Sequence, residues 1–377
     1  MEKIRLGDVA TYINGYAFKP SDWSNDGVPI IRIQDLTGNS YQSNRYSGKY
    51  ESKYEIMAGD VLISWSASLG VYVWQGEKAV VNQHIFKVVF DKKEVDKNFF
   101  VHQTKSIMER ATAEVHGATM KHLTKPIFDA LPFYLPTVTE QKRIATELDK
   151  ITDLIDKRKK QLEKLDELVK SRFVEMFGNN GKKVAVSSLC DVSGGYSFKS
   201  EDISSDGTVK ILQIGNVYLN DVNWKTTNYL PDGFDNMYSR FLLNEGDIVI
   251  ALTRPIIQSL GNVKACIIKA SDIPCLLNQR IGRIVSKQNA DVSLKFIYGC
   301  FMTDDFTRYV ESCCIGCSQP NISTKDVENY MIPDVTYEKQ MDFVTFKEQT
   351  DKSKFEIKQS LEKLELLKKS LMQKYFG

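Results

Sequence analysis

The sequence predicts an α+β protein with a pseudo-two-fold internal repeat: two similar globules separated by two long antiparallel coiled-coil helices. Recurring motifs, a heptad segment after each set, and short β-branched runs between them carry that prediction. Leu6-Gly7-Asp8-Val9 and Gly15-Tyr16-Ala17-Phe18-Lys19 return as Leu189-Cys190-Asp191-Val192 and Gly195-Tyr196-Ser197-Phe198-Lys199. Gly59-Asp60-Val61-Leu62-Ile63 is matched by Gly246-Asp247-Ile248-Val249-Ile250, and Asn82-Gln83-His84-Ile85 by Asn278-Gln279-Arg280-Ile281. His122-Leu123-Thr124-Lys125 is echoed by Asn321-Ile322-Ser323-Thr324-Lys325, and Leu135-Pro136 by Ile332-Pro333.

At 377 residues the chain exceeds a single ordinary core and suits two, with a boundary near Gly178. The expected organisation is a first globule over 1–137, a helix over 138–178, a second globule over 179–336 and a last helix over 337–377. A composition of 42% hydrophobic and 26% charged residues is that of a globular protein. No apolar run long enough for a membrane span and no signal-peptide pattern occurs, so a cytoplasmic location without membrane partners is expected. All seven cysteines lie in the second half, which excludes a repeated disulfide framework and fits reduced thiols.

Short apolar runs read as strands: Val28–Ile33, Asp60–Trp65 and Ile85–Phe90, with counterparts Val209–Ile214, Asp247–Ala251 and Ile281–Val285. Segments 98–114 and 295–311 read as helices. From Thr139, a candidate cap, Ile144, Leu148, Ile151, Ile155, Leu162, Leu165, Val169 and Met176 fall on a 3-4 spacing, a coiled-coil stripe. Such a helix is roughly 58 Å long. The last segment repeats the stripe with Ile357, Leu361, Leu364 and Leu371, widened by Leu367 and Tyr375 and more polar around Lys347 to Lys354. Neither helix can bury its stripe alone, and the chain order makes them antiparallel partners.

Catalytic signatures are missing. There is no G-x-x-x-x-G-K-[ST] loop, no G-x-G-x-x-G turn after a strand, and no Asn-Pro-Pro or Asp-Pro-Pro tetrapeptide. Cys313-Cys314-x-x-Cys317 resembles a metal knuckle but lacks nearby histidines, so no metal site is expected. Pro333-Asp334 with Glu356-x-Lys358 is a weak nuclease pattern whose carboxylates would have to converge. The four histidines, His84, His102, His116 and His122, sit in one half only, whereas a duplicated enzyme should duplicate its catalytic groups. No catalytic residue is assigned.

Both halves share turns mixing amides, hydroxyls, guanidinium groups and aromatics, the groups that hydrogen-bond base edges and phosphates. With a net charge of +2, any positive potential must be local. The candidate DNA-binding residues of the first half are Tyr16, Lys19, Arg32, Gln34, Arg45, Lys49, Ser64, Ser66, Ser68, Gln83, His84, His116, Thr119 and Lys121. Those of the second are Tyr196, Lys199, Gln213, Asn216, Thr253, Arg254, Gln258, Gln279, Arg280, Ser318, Gln319 and Asn321. Each has a plainer reading: Phe18 buried in a turn, Asn82-Gln83 bridging strands internally.

The order of these motifs, the Gly-Tyr-x-Phe-Lys opening, the Gly-Asp-[VI]-[LV]-Ile strand, the Leu-Pro or Ile-Pro exit and the Glu-Gln-Lys or Glu-Lys-Gln helix start, resembles the specificity subunit of a type I restriction-modification system over essentially the whole chain. The resemblance implies a target-recognition domain in each globule reading one half of a split double-stranded DNA sequence. It also implies spacer helices that dock two adenine-methyltransferase subunits, to which endonuclease subunits can add. It implies a non-catalytic chain binding no cofactor, with S-adenosylmethionine, ATP and Mg on partner subunits. Tyr337-Glu338-Lys339-Gln340 departs from the Thr-Glu-Gln-Lys-Arg start of the first helix, and Ser64-Trp65-Ser66-Ala67-Ser68 differs from Thr253-Arg254-Pro255-Ile256-Ile257, so two different half-sites are expected. The rival readings are a coiled-coil adaptor whose globules bind protein and a catalytic subunit with degenerate motifs. If the helices act as a ruler, inserting one helical turn into each lengthens the gap in the methylated target. Sequencing that target checks this, and an unchanged gap refutes it.

Overall fold

The computed structural model describes residues 2–38, 44–115, 124–179, 181–257, 261–314 and 320–377. The chain divides into two compact units, Met1–Lys160 with Lys358–Gly377, and Gln161–Ile357, so each long helix contributes to both. In the first unit the β-branched run Val61–Ser64 is wholly buried and forms an inner strand of a four-stranded antiparallel sheet. Its order is Thr11–Asn14, Ile85–Val89, Val61–Ser64, Gly70–Val73, with Ile63 opposite both Phe86 and Val71. A second, mixed sheet sets Val28–Ile31 parallel to Ala79–Val81, flanked by Arg45–Tyr46 and Glu55–Ile56. Glu2–Arg5 pairs antiparallel with Pro132–Leu135 and so joins the start of the globule to its exit.

The second unit repeats the plan. Its antiparallel sheet runs Cys190–Gly194, Ile281–Ser286, Ile248–Ala251, Ala265–Ile267. Val209–Leu212 is parallel to Cys275–Leu277 and antiparallel to Asn228–Leu230, and Lys183–Ala185 closes on Met331–Pro333. One difference concerns the helix after the last long strand. Lys97–Val115 is continuous, whereas its counterpart is split into Leu294–Phe301 and Asp304–Cys313. Thr303 stands at the break, where its hydroxyl caps the second piece by accepting from Phe306 N at 3.2 Å.

The two long helices are Val138–Phe177 and Tyr337–Phe376. They begin alike. Gln141 is buried, with Oε1 accepting from Asp96 N and Nε2 donating to Pro136 O; Gln340 is equally buried and bonds Ser293 N, Asp291 O and Val335 O. The different spellings at the two starts therefore hide one device, a glutamine that ties the helix to the preceding helix and exit strand. Thr137, not Thr139, stands at the first cap, with its hydroxyl 3.4 Å from Glu140 N, which places Thr139 inside the helix.

Within each unit the helices are antiparallel. In the first, Lys159 pairs with Glu365 at 3.3 Å, and Tyr375 reaches back to donate to Glu147 at 2.7 Å. In the second, Lys354 pairs with Asp166, and Phe173 and Phe177 meet Phe343 at ring separations of 5.3 and 5.8 Å. The stripe joins the globular cores. Ile144, Leu148, Ile151, Ile155, Leu371, Tyr375 and Phe376 share a cluster with Val61, Ile63, Phe86, Phe99 and Phe133. Phe177, Phe343 and Val344 share one with Ile248, Ile250, Phe296 and Phe306. One expectation changes: Leu367 lies outside the seam, 48% exposed. Ahead of the polar stretch from Lys347 to Lys354, the last helix also buries Phe343 and Val344, which the sequence stripe leaves out.

Phe376, 1% exposed, meets Phe99 at 5.6 Å in the first unit as Phe177 meets Phe296 at 5.2 Å in the second. Phe376→Ala is expected to lower unfolding free energy by about 3–5 kcal/mol. Phe355→Ala, at a side chain 62% exposed, should stay within about 0.5 kcal/mol. Denaturant titration checks both, and equal losses would contradict the assigned core.

Candidate nucleic-acid interface

In each unit three backbone segments meet at one corner. Tyr16 N donates to Val81 O and Gln83 N to Tyr16 O, while Asn82 N donates to Ile31 O. Tyr196, Leu277, Gln279, Asn278 and Leu212 repeat these bonds one for one. The approach is tight enough to require glycine before the tyrosine: a Cβ on Gly15 would lie 2.2 Å from Asn82 O, and on Gly195 2.1 Å from Asn278 O. Tyr16 rests on Phe18 and Tyr54, and Tyr196 on Phe198, Tyr238 and Phe241, leaving each tyrosine 39% exposed.

The Gly-Asp motif braces the same sheet. Asp60 Oδ2 accepts from Met57 N and lies 3.6 Å from Lys87 Nζ. Asp247 Oδ2 accepts from Asn244 N and pairs with Arg283 at 2.8 Å in a more enclosed setting. After each braced strand comes a turn holding a non-glycine residue at positive φ, Ala67 at 58° and Arg254 at 47°. Trp65 N donates to His84 O and Leu252 N to Arg280 O, so this turn adjoins the Asn-Gln turn in both units.

The candidate residues separate by exposure. Tyr16, Lys19, Lys49, Ser68 and Gln83 of the first unit and Tyr196, Lys199, Arg254, Gln279, Arg280 and Asn321 of the second are exposed. Arg280 also has positive φ, 67°. Thr253 and His84 are half-buried, with Thr253 paired to Asn321 and the His84 ring 5.4 Å from Trp65. Gln34 is half-buried, and Thr37 Oγ1 donates to its carbonyl. Gln213 lines an open cleft of about 380 Å³ with Asn216, Gln279 and Arg280. Thr226 and Asn278, absent from the sequence-based set, line it too. His116, Thr119, Lys121, Gln258, Ser318 and Gln319 lie outside the described residues.

Several candidates serve the scaffold instead of facing solvent. Ser64 is fully buried with its hydroxyl donating to Ser68 O, and Ser66 is 4% exposed. Asn216, 3% exposed, accepts from Gln213 N and donates to Asn223 O and Thr226 O, which engages its whole amide. Asp35 does the matching work in the first unit by accepting from Arg32 N, so Arg32 corresponds to Gln213 and Asp35 to Asn216. The Arg32 guanidinium lies over Trp23 at 5.3 Å. Arg45 donates to Gly27 O and to Glu77 and ties the second sheet together.

The groups considered for catalysis fall elsewhere. His102 is buried and bonds Asp149 at 2.7 Å, linking Lys97–Val115 to the first long helix, and burial holds its pKa below the usual histidine value despite that carboxylate. Burial pushes the Cys190, Cys266 and Cys275 thiols up to about 12. Asp334 pairs with Lys182 at 2.6 Å, and among the described residues no group of three His, Cys, Asp or Glu converges as metal ligands. No helix among the described residues is long and apolar enough to cross a membrane.

Two copies of one α+β fold, each with a polar brace, half-buried in the first unit and enclosed in the second, beside a corner of exposed amides, tyrosines and cations, define a duplicated recognition protein. The profile of the type I restriction modification DNA specificity domain matches the chain twice, over residues 1–167 and 179–368, and the chain belongs to that family. It is 26% identical over 364 residues to the MjaVIII type I restriction enzyme specificity subunit of Methanocaldococcus jannaschii, covering 88% of this chain and 81% of that one. It is 33% identical over 171 residues to the EcoBI specificity subunit of Escherichia coli, covering 45% of this chain and 36% of that one. In fold it matches the S subunit of the M. genitalium type I system with a TM-score of 0.55 at 16% identity, covering 100% of this chain and 96% of that one. A chain solved in work on complex assembly and conformational transition of the type I system gives a TM-score of 0.58 at 16% identity, covering 100% and 97%.

Asp247→Ala is expected to cost about 3–5 kcal/mol by stranding Arg283. Asp60→Ala should cost less, because Lys87 is more distant and its partner more open. Denaturant unfolding compares the two, and equal costs would contradict the assigned brace.

Proposed function

We propose that this chain reads an asymmetric, two-part DNA target for a type I restriction-modification complex, one part per unit, while partner subunits carry out the chemistry. The observation that carries the reading is the duplicated corner: the backbone bonds of Tyr16, Asn82 and Gln83 recur at Tyr196, Asn278 and Gln279, whereas the side chains beside them differ, half-buried His84 against exposed Arg280 and Ala67 against Arg254. A constant scaffold with changed reading groups suits two unlike half-sites. Lys19, Lys49 and Lys199 are exposed cations suited to phosphate contact, which makes binding fall with salt.

The long helices are the proposed docking sites for two adenine-methyltransferase subunits, which supply S-adenosylmethionine chemistry; endonuclease subunits bring ATP and Mg. Support comes from apolar side chains that the antiparallel seam leaves in solvent. Leu154 is 44%, Leu366 69% and Leu367 48% exposed in the first unit; Leu168 is 47%, Val174 64% and Phe355 62% exposed in the second. Unpartnered groups of this kind on otherwise charged helices suit helices of another subunit.

Sequencing methylated adenines in cells carrying the methyltransferase with and without this chain tests the reading. A two-part asymmetric motif that vanishes with the chain is expected; adenine methylation by the chain alone would overturn it. Leu366→Glu is expected to prevent co-purification with the methyltransferase while leaving the chain folded, and undiminished co-purification would contradict docking there.

A further inference from the structure

Arg254 differs from several other arginines of the units. Arg45, Arg143, Arg172, Arg283 and Arg308 are held by carboxylates of their own chain. Arg254 is exposed, and among the described residues no carboxylate pairs with it. Its backbone is nevertheless fixed at both flanks. Arg254 N donates to Pro320 O at 2.7 Å, Ile322 N donates to Leu252 O at 2.8 Å, and Thr253 pairs with Asn321. Leu252 N adds a bond to Arg280 O at 2.8 Å. A disfavoured left-handed backbone held from two sides fixes the direction in which the side chain leaves the turn, and a pre-aimed side chain loses less freedom when it binds.

The first unit provides an internal comparison. Ala67 stands at the same offset from its strand with the same backbone sign, φ 58° against 47°, in a link that lacks the Ile256–Val263 hairpin of the second unit, so a left-handed residue stands there without any long side chain. Contacts to phosphate fix register and carry no sequence information. A guanidinium present in one copy and cut back to a methyl group in the other is placed as a reader of sequence. Its planar fork matches the O6 and N7 acceptors of guanine in the major groove.

We propose that Arg254 reads a guanine in the half-site taken by the second unit, and that Ala67 leaves the equivalent position of the first half-site without an arginine contact. This rests on the DNA-specificity reading above and adds a residue and a base to it.

The test is adenine-methylation sequencing with the assembled methyltransferase complex carrying the wild-type chain, R254A, R254G, R254K or A67R. R254G accepts the left-handed backbone without strain and so guards against a folding failure in R254A. R254A and R254G are expected to lose discrimination at a single G·C pair of the second half-site by about 5- to 150-fold, with the first half-site unchanged. R254K should lose most of it, because an ammonium cannot form the paired contact. A67R is expected to add a guanine preference in the first half-site. An intact wild-type motif that R254A and R254G leave unaltered would overturn the proposal alone. A uniform loss of methylation at unchanged specificity, with a shallower salt dependence, would overturn it in favour of a phosphate contact. A wild-type complex without any sequence motif would overturn the specificity reading and this proposal together.

Discussion

Burial of the helical stripes is the constraint on which everything else depends. A long helix with a narrow apolar seam and an otherwise charged surface has no stable existence in water by itself. In each unit the seam is closed from two directions, by the antiparallel helix and by the globular sheet, so that Ile144, Leu148, Phe376 and Phe86 belong to one core, as do Phe177, Phe343 and Ile250. The helices are therefore structural parts of the globules. The buried glutamines Gln141 and Gln340 reinforce the junction, because an amide removed from water holds its geometry only while its partners are in place.

On that base the sheets carry a corner whose bonds at the tyrosine, asparagine and glutamine recur while the neighbouring side chains differ. Gly15 and Gly195 permit close contact with the Asn-Gln turns, and Asp60 and Asp247 brace the strands that lead into the neighbouring turn. The residues at these points are small, buried or fully hydrogen-bonded. Of those that differ between units, Ala67, Arg254 and Arg280 are exposed, while His84 is half-buried against Trp65. Under the proposed function, such a division of labour would let one fold take many targets, because the proposed reading groups lie outside the shared scaffold.

Much of this was legible in the sequence. Repeated motifs located the two copies, and β-branched runs and the 3-4 stripe located inner strands and helices, because burial on both faces or along one seam writes itself directly into apolar spacing. The polar candidates were less legible. Ser64, Asn216 and Arg45 look like Ser68, Gln279 and Arg254 in a string of letters; what turns them inward is a partner from elsewhere in the fold, such as Thr226 for Asn216 or Glu77 for Arg45. The likeness of the two helix starts was only partly legible: the bonds of Gln141 and Gln340 bring out the equivalence that the shuffled Glu-Gln-Lys and Glu-Lys-Gln spellings hide. Phe343 and Val344 escaped notice because the polar residues that follow them mask a short apolar pair.

The most direct test of the account is photo-crosslinking from the two exposed tyrosine positions. Benzoylphenylalanine placed at Tyr16 or at Tyr196 in the assembled complex should crosslink to bases of the target duplex, each position to a different half of the recognised sequence. Crosslinks from both positions to the same half, or to partner protein with none to DNA, would contradict it.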